Sequence, residues 1–304
     1  MHSARSFLHP FPARMAPELA LNEIKKFKSP ARILDPMVGS GTVALSAVAT
    51  GHFFYGRDLD PLAQIISTVS TSNIDYAELR SLAKAILIKA SKCSRIPTDL
   101  PWIETGDETH QFIEFWFAEK QRAELASIAF EINELRSTSH SLNVQALEVA
   151  LSRLIVTKES KASLARDTSH SRPHRVSLTN DFNVISAFER SVDEVIKRHS
   201  RFSRLGTANI ALGDARKLDQ LADGEIDAIV TSPPYLNAID YMRGHRMSLV
   251  WLGHTIPSLR MIRSTSVGAE RATAATRESI NAVLDCFGDI SGLADRQQSM
   301  IRRY

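Results

Sequence analysis

Cysteine is nearly absent from this chain of 304 residues: Cys93 and Cys286 are the only two, and neither has a second Cys or a His at ligand-like spacing beside it. That excludes a disulfide framework and gives no support to a structural zinc site, so both read as ordinary thiols and no metal is expected. Long apolar runs are missing too. No stretch approaches the roughly 20 uninterrupted apolar residues of a membrane span, and the first 15 residues lack the apolar core of a secretory signal. A cytoplasmic location is the expectation. Acidic residues are locally scarce: none falls between 241 and 269, where Arg243, Arg246, Arg260 and Arg263 lie. A second basic stretch sets Arg153, Lys158, Lys161, Arg166, Arg172 and Arg175 against Glu159 and Asp167 alone. The formal net charge of +3 is too small to indicate a nucleic-acid partner by itself, so these runs read either as solvated surface or as phosphate contacts.

What is present points to an α/β chain. At 43% hydrophobic composition the length suffices for one large domain, or for a core domain carrying an insertion. Ala31-Arg-Ile-Leu-Asp35 is a short apolar run closing in an acid, followed by the turn Pro36-Met-Val-Gly39-Ser-Gly41-Thr42 and a helical pattern over 43–51. His52-Phe-Phe-Tyr-Gly-Arg57 is a second strand ending at Asp58, and Pro61 marks the first turn of the next helix. The βαβ order predicts a parallel sheet. Residues 76–199 are mainly helical, with breaks at 95–97, 137–140 and 167–173, which predicts a helical insertion. The α/β rhythm resumes with a strand at 208–212, Gly213-Asp214 and a short helix. A strand at 226–230, apolar enough to be covered on both faces, then runs into Thr231-Ser-Pro-Pro-Tyr235. Residues 269–304 read as two helices around a break near 288–292.

Three features carry chemistry. Glycines at 39 and 41 let a ligand approach the backbone and permit the turn into a helix whose first amides hold anions. No Lys-Ser/Thr follows them, which argues against a triphosphate loop. Asp58, 23 residues after Asp35, ends the second strand, where a doubly wound fold grips a ribose diol. Asp214 reads as an N-cap for a helix starting near Ala215, as an acceptor for an adenine amino group, or as both. Ser232-Pro233-Pro234-Tyr235 is the most specific feature: two prolines directly after a strand cannot extend its ladder and fix a rigid turn, and the tyrosine offers a stacking face for a base.

In this order the segments resemble the S-adenosylmethionine (SAM)-dependent DNA amino-methyltransferases whose catalytic turn reads Ser/Asp/Asn-Pro-Pro-aromatic. His9-Pro-Phe-Pro-Ala-Arg-Met15 resembles their motif X, Leu34-Asp-Pro-Met-Val-Gly-Ser-Gly-Thr42 motif I, Gly56-Arg-Asp58 motif II, Gly213-Asp214 motif III, and the turn from Thr231 to Tyr235 motif IV. The resemblance implies a Rossmann-like class I SAM-dependent methyltransferase sheet with a large helical insertion. Its parts would be residues 1–75 (motif X and the first half of the α/β domain), 76–205 (the insertion) and 206–304 (the second half, with the catalytic turn). It implies that Ser232 Oγ and the Pro233 carbonyl accept hydrogen bonds from the target amine, within a turn fixed by Pro234. Tyr235 would stack on a base flipped from the duplex. Asp35, Pro36, Gly39, Gly41 and Thr42 would shape the methionine end of SAM. Asp58 would bind its ribose and Asp214 its adenine, with Phe11 and Ala13 closing over it. A serine opening motif IV is similar to the N4-cytosine enzymes, so N4 of cytosine is the expected acceptor. N6-adenine methylation, RNA base methylation and a SAM- or DNA-binding protein without turnover are the alternatives.

For DNA, the polar stretch 165–175 reads as a contacting loop or as a surface linker. Arg166, His170, Arg172, His174 and Arg175 are its candidate contacts, with Arg243 and Arg246 after the catalytic turn. Phe115-Trp116-Phe117 reads as core packing or, if exposed, as a duplex wedge. Four strands are legible where the family has seven, so the sequence predicts a fragment or one half of a split enzyme, with a complementing C-terminal polypeptide as partner. The target sequence and any restriction endonuclease partner are not legible.

Overall fold

A computed structural model describes residues 7–12, 14–139, 141–169, 173–234 and 242–266, together with Gly292, Ala294, Asp295 and Gln298. The first half begins with α1 (Pro17–Ile24), β1 (Arg32–Asp35), α2 (Thr42–Ala49), β2 (Phe53–Asp58) and α3 (Pro61–Thr71). Local chemistry sets the helix starts. Pro17 and Pro61 stand in first turns, where a missing N–H costs nothing, and the Asp60 carboxylate caps α3 by accepting from Leu62 N at 2.9 Å. A helical stretch follows: α4 (Tyr76–Lys92), α5 (Glu108–Trp116), α6 (Glu119–Thr138) and α7 (Leu142–Ser152). Asp75, Asp107 and Ser141 cap α4, α5 and α7. Next come the short antiparallel pair β3 (Ala165–Arg166) and β4 (His174–Arg175), then α8 (Val184–His199), capped by Asn183. The sheet resumes with β5 (Thr207–Leu212) and β6 (Ala228–Ile229), before α9 (Met242–Leu249) and α10 (Ile256–Thr265). No helix among the described residues is long and apolar enough to cross a membrane.

The sheet has the order β5-β2-β1-β6 and is parallel throughout. Sequential strands run outward from β1 to β5 on one side, and β6 lies on the other, so the strand order reverses between β1 and β6. The crevice at the carboxyl ends there is where doubly wound sheets bind ligands. One sheet face packs Ile33, Phe54 and Val230 against Ala20 and Ile24 of α1 and Val43, Ala44 and Val48 of α2. A larger cluster starts on α3 with Leu62, Ile66 and Val69 and runs through α4, α6, α7 and α8 to Met247 and Trp251. Trp251 meets Phe117 edge to face at 5.2 Å, both fully buried. The helical stretch 76–205 thus shares one core with α3 and the segment from Met242 to Leu259.

The N-terminal segment is held from three sides. Arg14 donates to the His9 carbonyl, Arg153 to the Leu8 carbonyl, and Arg198 Nη1 to the Phe7 carbonyl at 3.0 Å. Burial and the neighbouring arginines push both Arg14 and Arg153 down to about 10.

Several expectations are corrected. No helix follows β5; the chain turns at Asp214, whose carboxylate accepts from Arg216 N at 3.0 Å, so Asp214 closes an Asx turn instead of capping a helix. β6 is two residues long, and Ile229 is 63% exposed, so the strand is not covered on both faces among the described residues. Phe53 on β2, across β1 from β6, is 46% exposed as well. Arg153 belongs to neither a solvated face nor a phosphate surface, because its guanidinium is spent on the N-terminal segment. The aromatic triplet divides: Phe117 is core, Trp116 is partly buried, and Phe115 is 49% exposed. The expected helices over 269–304 fall almost entirely outside the described residues, and no fifth strand joins the described sheet.

Candidate functional site

Strand β1 delivers Asp35 to the carboxyl edge of the sheet, where it is 2% exposed and accepts from Met37 N at 3.0 Å. The half-buried Pro36 starts the turn, and Val38 N returns to the Arg57 carbonyl at 2.9 Å, tying the loop to β2. Gly39 and Gly41 have φ of 51° and 82°, a region side chains rarely adopt. A Cβ on Gly41 would stand 2.9 Å from Ser67 Cβ, so its absence lets α2 and α3 approach. Thr42 opens α2 with its hydroxyl buried and without a hydrogen-bond partner among the described residues.

Asp58, at the end of β2, is fixed through both oxygens: Oδ2 accepts from Gly39 N at 2.8 Å and Oδ1 from Asp60 N at 2.9 Å. The strand-end acid therefore holds the glycine loop in place. Burial pushes its carboxyl up to about 7, reinforced by the Asp60 charge and opposed by the two amides. Burial likewise raises Asp35 to about 6, against the hydrogen bonds from Thr231 and Met37. Phe11 lies over this loop, its Cε1 3.7 Å from where a Gly39 Cβ would be. Behind it, the Phe11 ring packs at 4.7 Å on His245, whose Nδ1 pairs with Asp60. His245 is fully buried, and its Nε2 has no hydrogen-bond partner among the described residues. His9 is buried nearby, bonded to Ser152 Oγ at 2.9 Å and lowered by burial and then by surrounding cations.

Beside β1, β6 leads into Thr231-Ser232-Pro233-Pro234. Thr231 Oγ1 donates to Asp35 Oδ1 at 2.6 Å, and Ser232 and Pro233 are exposed next to it. The glycine loop, Asp35, Asp58, Phe11 and the Ser-Pro-Pro turn are thus together at one end of the sheet. Asp214 follows β5 at the same carboxyl edge, but its oxygens take Arg216 Nε at 2.9 Å and Nη2 at 2.6 Å, which hold its carboxyl below the usual range. Tyr235, Ala13, His170 and Arg172 lie outside the described residues.

The basic candidates separate into two places. Arg166, His174 and Arg175 are exposed on the β3-β4 pair, and Arg175 sits over the Phe115 ring at 4.9 Å, so a cation and an exposed aromatic face solvent together. Arg243 and Arg246 are only partly exposed on α9, and Arg246 lies 5.1 Å from the Phe112 ring.

Sequence reasoning placed Thr231 in the Ser-Pro-Pro turn without giving it a role, and missed Asp60 and His245. The role of Thr231 depends on the β1–β6 register, which pairs Leu34 with Ile229 and brings the residue after Val230 alongside the loop that follows Asp35, and that register is visible only in the structure. His245 had none, because a histidine between arginines on a short helix reads as surface until the helix is packed.

The chain is 24% identical over 261 residues to the Type II methyltransferase M.MvaI of Kocuria varians, covering 80% of this chain and 56% of that one. It is 26% identical over 274 residues to the Type II methyltransferase M.BsoBI of Geobacillus stearothermophilus, covering 82% and 53%. The chain spans about half the length of these curated relatives. No family model matches it, and no solved structure matches significantly.

Proposed function

We propose that this chain, which is similar to two Type II methyltransferases, transfers a methyl group from SAM to an exocyclic amino group of a DNA base. N4 of cytosine is the proposed acceptor, on the strength of Ser232 opening the catalytic turn. The observation that supports the reading best is the meeting of the Gly39–Asp58 loop and the Ser232-Pro233-Pro234 turn on either side of Asp35. The residues present suit the cofactor. The loop has no side chain at 39 or 41, an aromatic ring lies above it, Thr42 carries an unused buried hydroxyl, and acids end β1 and β2 beside it. When bound, SAM supplies an electrophilic methyl group on a sulfonium centre.

The residues' own chemistry follows from their places. In their ionised forms Asp35 and Asp58 put negative charge beside a cationic ligand, whose positive charge in turn favours those forms, and Phe11 restricts water above the loop. An exocyclic amine conjugated to its ring is a poor nucleophile. Ser232 Oγ and the Pro233 carbonyl accept its N–H groups and draw lone-pair density back to nitrogen. The gain comes from positioning and preorganised electrostatics, and no covalent enzyme intermediate is required. Tyr235 is proposed to stack on the flipped base. Arg166, His174 and Arg175 are proposed as phosphate contacts, with Arg243 and Arg246 secondary because they are partly enclosed.

Incubation with methyl-labelled SAM and cytosine-containing or cytosine-free duplexes, followed by nucleoside analysis, tests this. Label in N4-methylcytosine is the expected result. Label in N6-methyladenine moves the acceptor to adenine, and binding of SAM and DNA with no transfer leaves a binding protein.

A further inference from the structure

The hydrogen bond between Thr231 and Asp35 joins two parts of the site that arrive from opposite ends of the chain, 196 residues apart in sequence. Asp35 closes β1 and starts the glycine loop, whereas Thr231 follows β6 and precedes Ser232 directly. Only two residue pairs, Ile33 with Ala228 and Leu34 with Ile229, register β6 on β1, with two further backbone bonds, from Asp227 N to the Arg32 carbonyl at 2.9 Å before them and from Val230 N to the Leu34 carbonyl at 3.0 Å after them. After that the ladder stops, because Pro233 and Pro234 have no N–H to donate. The Ser-Pro-Pro turn therefore leaves the sheet with little backbone pairing to fix it, and the Thr231 hydroxyl is the next tie, made to a carboxylate that is itself buried.

We propose that Thr231 is a positioning residue whose hydroxyl latches the Ser232-Pro233-Pro234 turn to the glycine loop through Asp35, setting the acceptor side and the cofactor side of the site relative to each other. The inference rests on the function proposed above for its consequence in catalysis, but the latch itself is a property of the unliganded chain. The groups facing Asp35 are Thr231 and the Met37 amide by hydrogen bond. Asp58 adds its charge from β2, since Asp35 contributes to the raised value of Asp58. A donor removed from Asp35 leaves its carboxylate less stabilised, so its titration must move upward from about 6. Valine keeps the shape of threonine without the hydroxyl, and serine restores the donor.

The test follows the Asp35 carboxyl by NMR titration in Thr231→Val and Thr231→Ser, without cofactor, and compares methyl transfer by the same proteins. The expected result is an Asp35 titration shifted to higher pH in Thr231→Val and restored in Thr231→Ser. The methyl-transfer kcat should fall roughly tenfold or more in the valine variant, the scale for losing a hydrogen bond to a charged group, with a smaller change in KM for DNA. An unshifted Asp35 titration in a folded Thr231→Val protein overturns the latch, whether or not the chain methylates DNA. A shifted titration with kcat unchanged overturns the positioning role. A shifted and rescued titration in a protein that transfers no methyl group to any duplex upholds the latch and refutes the proposed function.

Discussion

Gly41 shows how much of the site depends on one missing side chain. Its φ of 82° and the 2.9 Å approach to Ser67 make alanine there strained twice over, by backbone and by contact. Gly41→Ala should cost about 1–3 kcal/mol of stability, seen as a lower denaturant midpoint. A midpoint equal to wild type would mean that α3 shifts to make room. Ser232→Ala belongs to the other half of the site. Its proposed acceptor role would matter most as charge develops on the amine, so the methylation rate should fall far more than DNA affinity. Equal losses in both would reassign Ser232 to substrate docking. At this scale the strand ends at Asp35 and Asp58 and the glycine turn between them were legible. Asp214 was legible as a strand-end acid but not as an ion pair, since its partner Arg216 adds only ordinary surface charge to the pattern.

Among the elements, α7 carries a buried acid that no sequence pattern places inside. Glu148 is 3% exposed, 3.4 Å from Arg136 Nη1, and lines a cavity of about 190 Å³ with Gln145 and His254. Burial pushes its carboxyl up to about 7, with Arg136 acting against the shift. An acid raised in the folded state contributes stability that is present below its unfolded value and lost as pH rises through the folded one. Glu148→Gln removes that loss. The difference in Tm, variant minus wild type, should therefore increase by about 2–6 °C between roughly pH 5 and pH 8. A constant or shrinking difference would show that Glu148 is ionised at its ordinary value. The same contrast between pattern and packing explains β3 and β4: residues 165–175 lack periodicity, so a pair of two-residue strands could not be read from them, although their exposed cations could. If these cations meet phosphates, Arg166→Ala and Arg175→Ala should each flatten the salt dependence of DNA binding by about one unit of slope. A slope identical to wild type would exclude them.

For the whole molecule, a parallel sheet was legible because βαβ units admit few topologies, and Asp35 and Asp58 mark strand ends. The joining of the helical stretch to α3 and α9 was not, since a core shared between distant segments leaves no local pattern; residues such as Met247 and Trp251 declare themselves only through their contacts. The central claim is that the carboxyl ends of β1 and β2 form a SAM site whose loop is held by Asp58. Calorimetric titration of SAM into the wild-type chain and into Asp58→Ala tests it most directly. The account predicts saturable one-to-one binding to wild type, weakened by roughly 1–3 kcal/mol in the variant, the scale for charged hydrogen bonds. Equal affinity in the two proteins, or no binding to folded wild type, would contradict it.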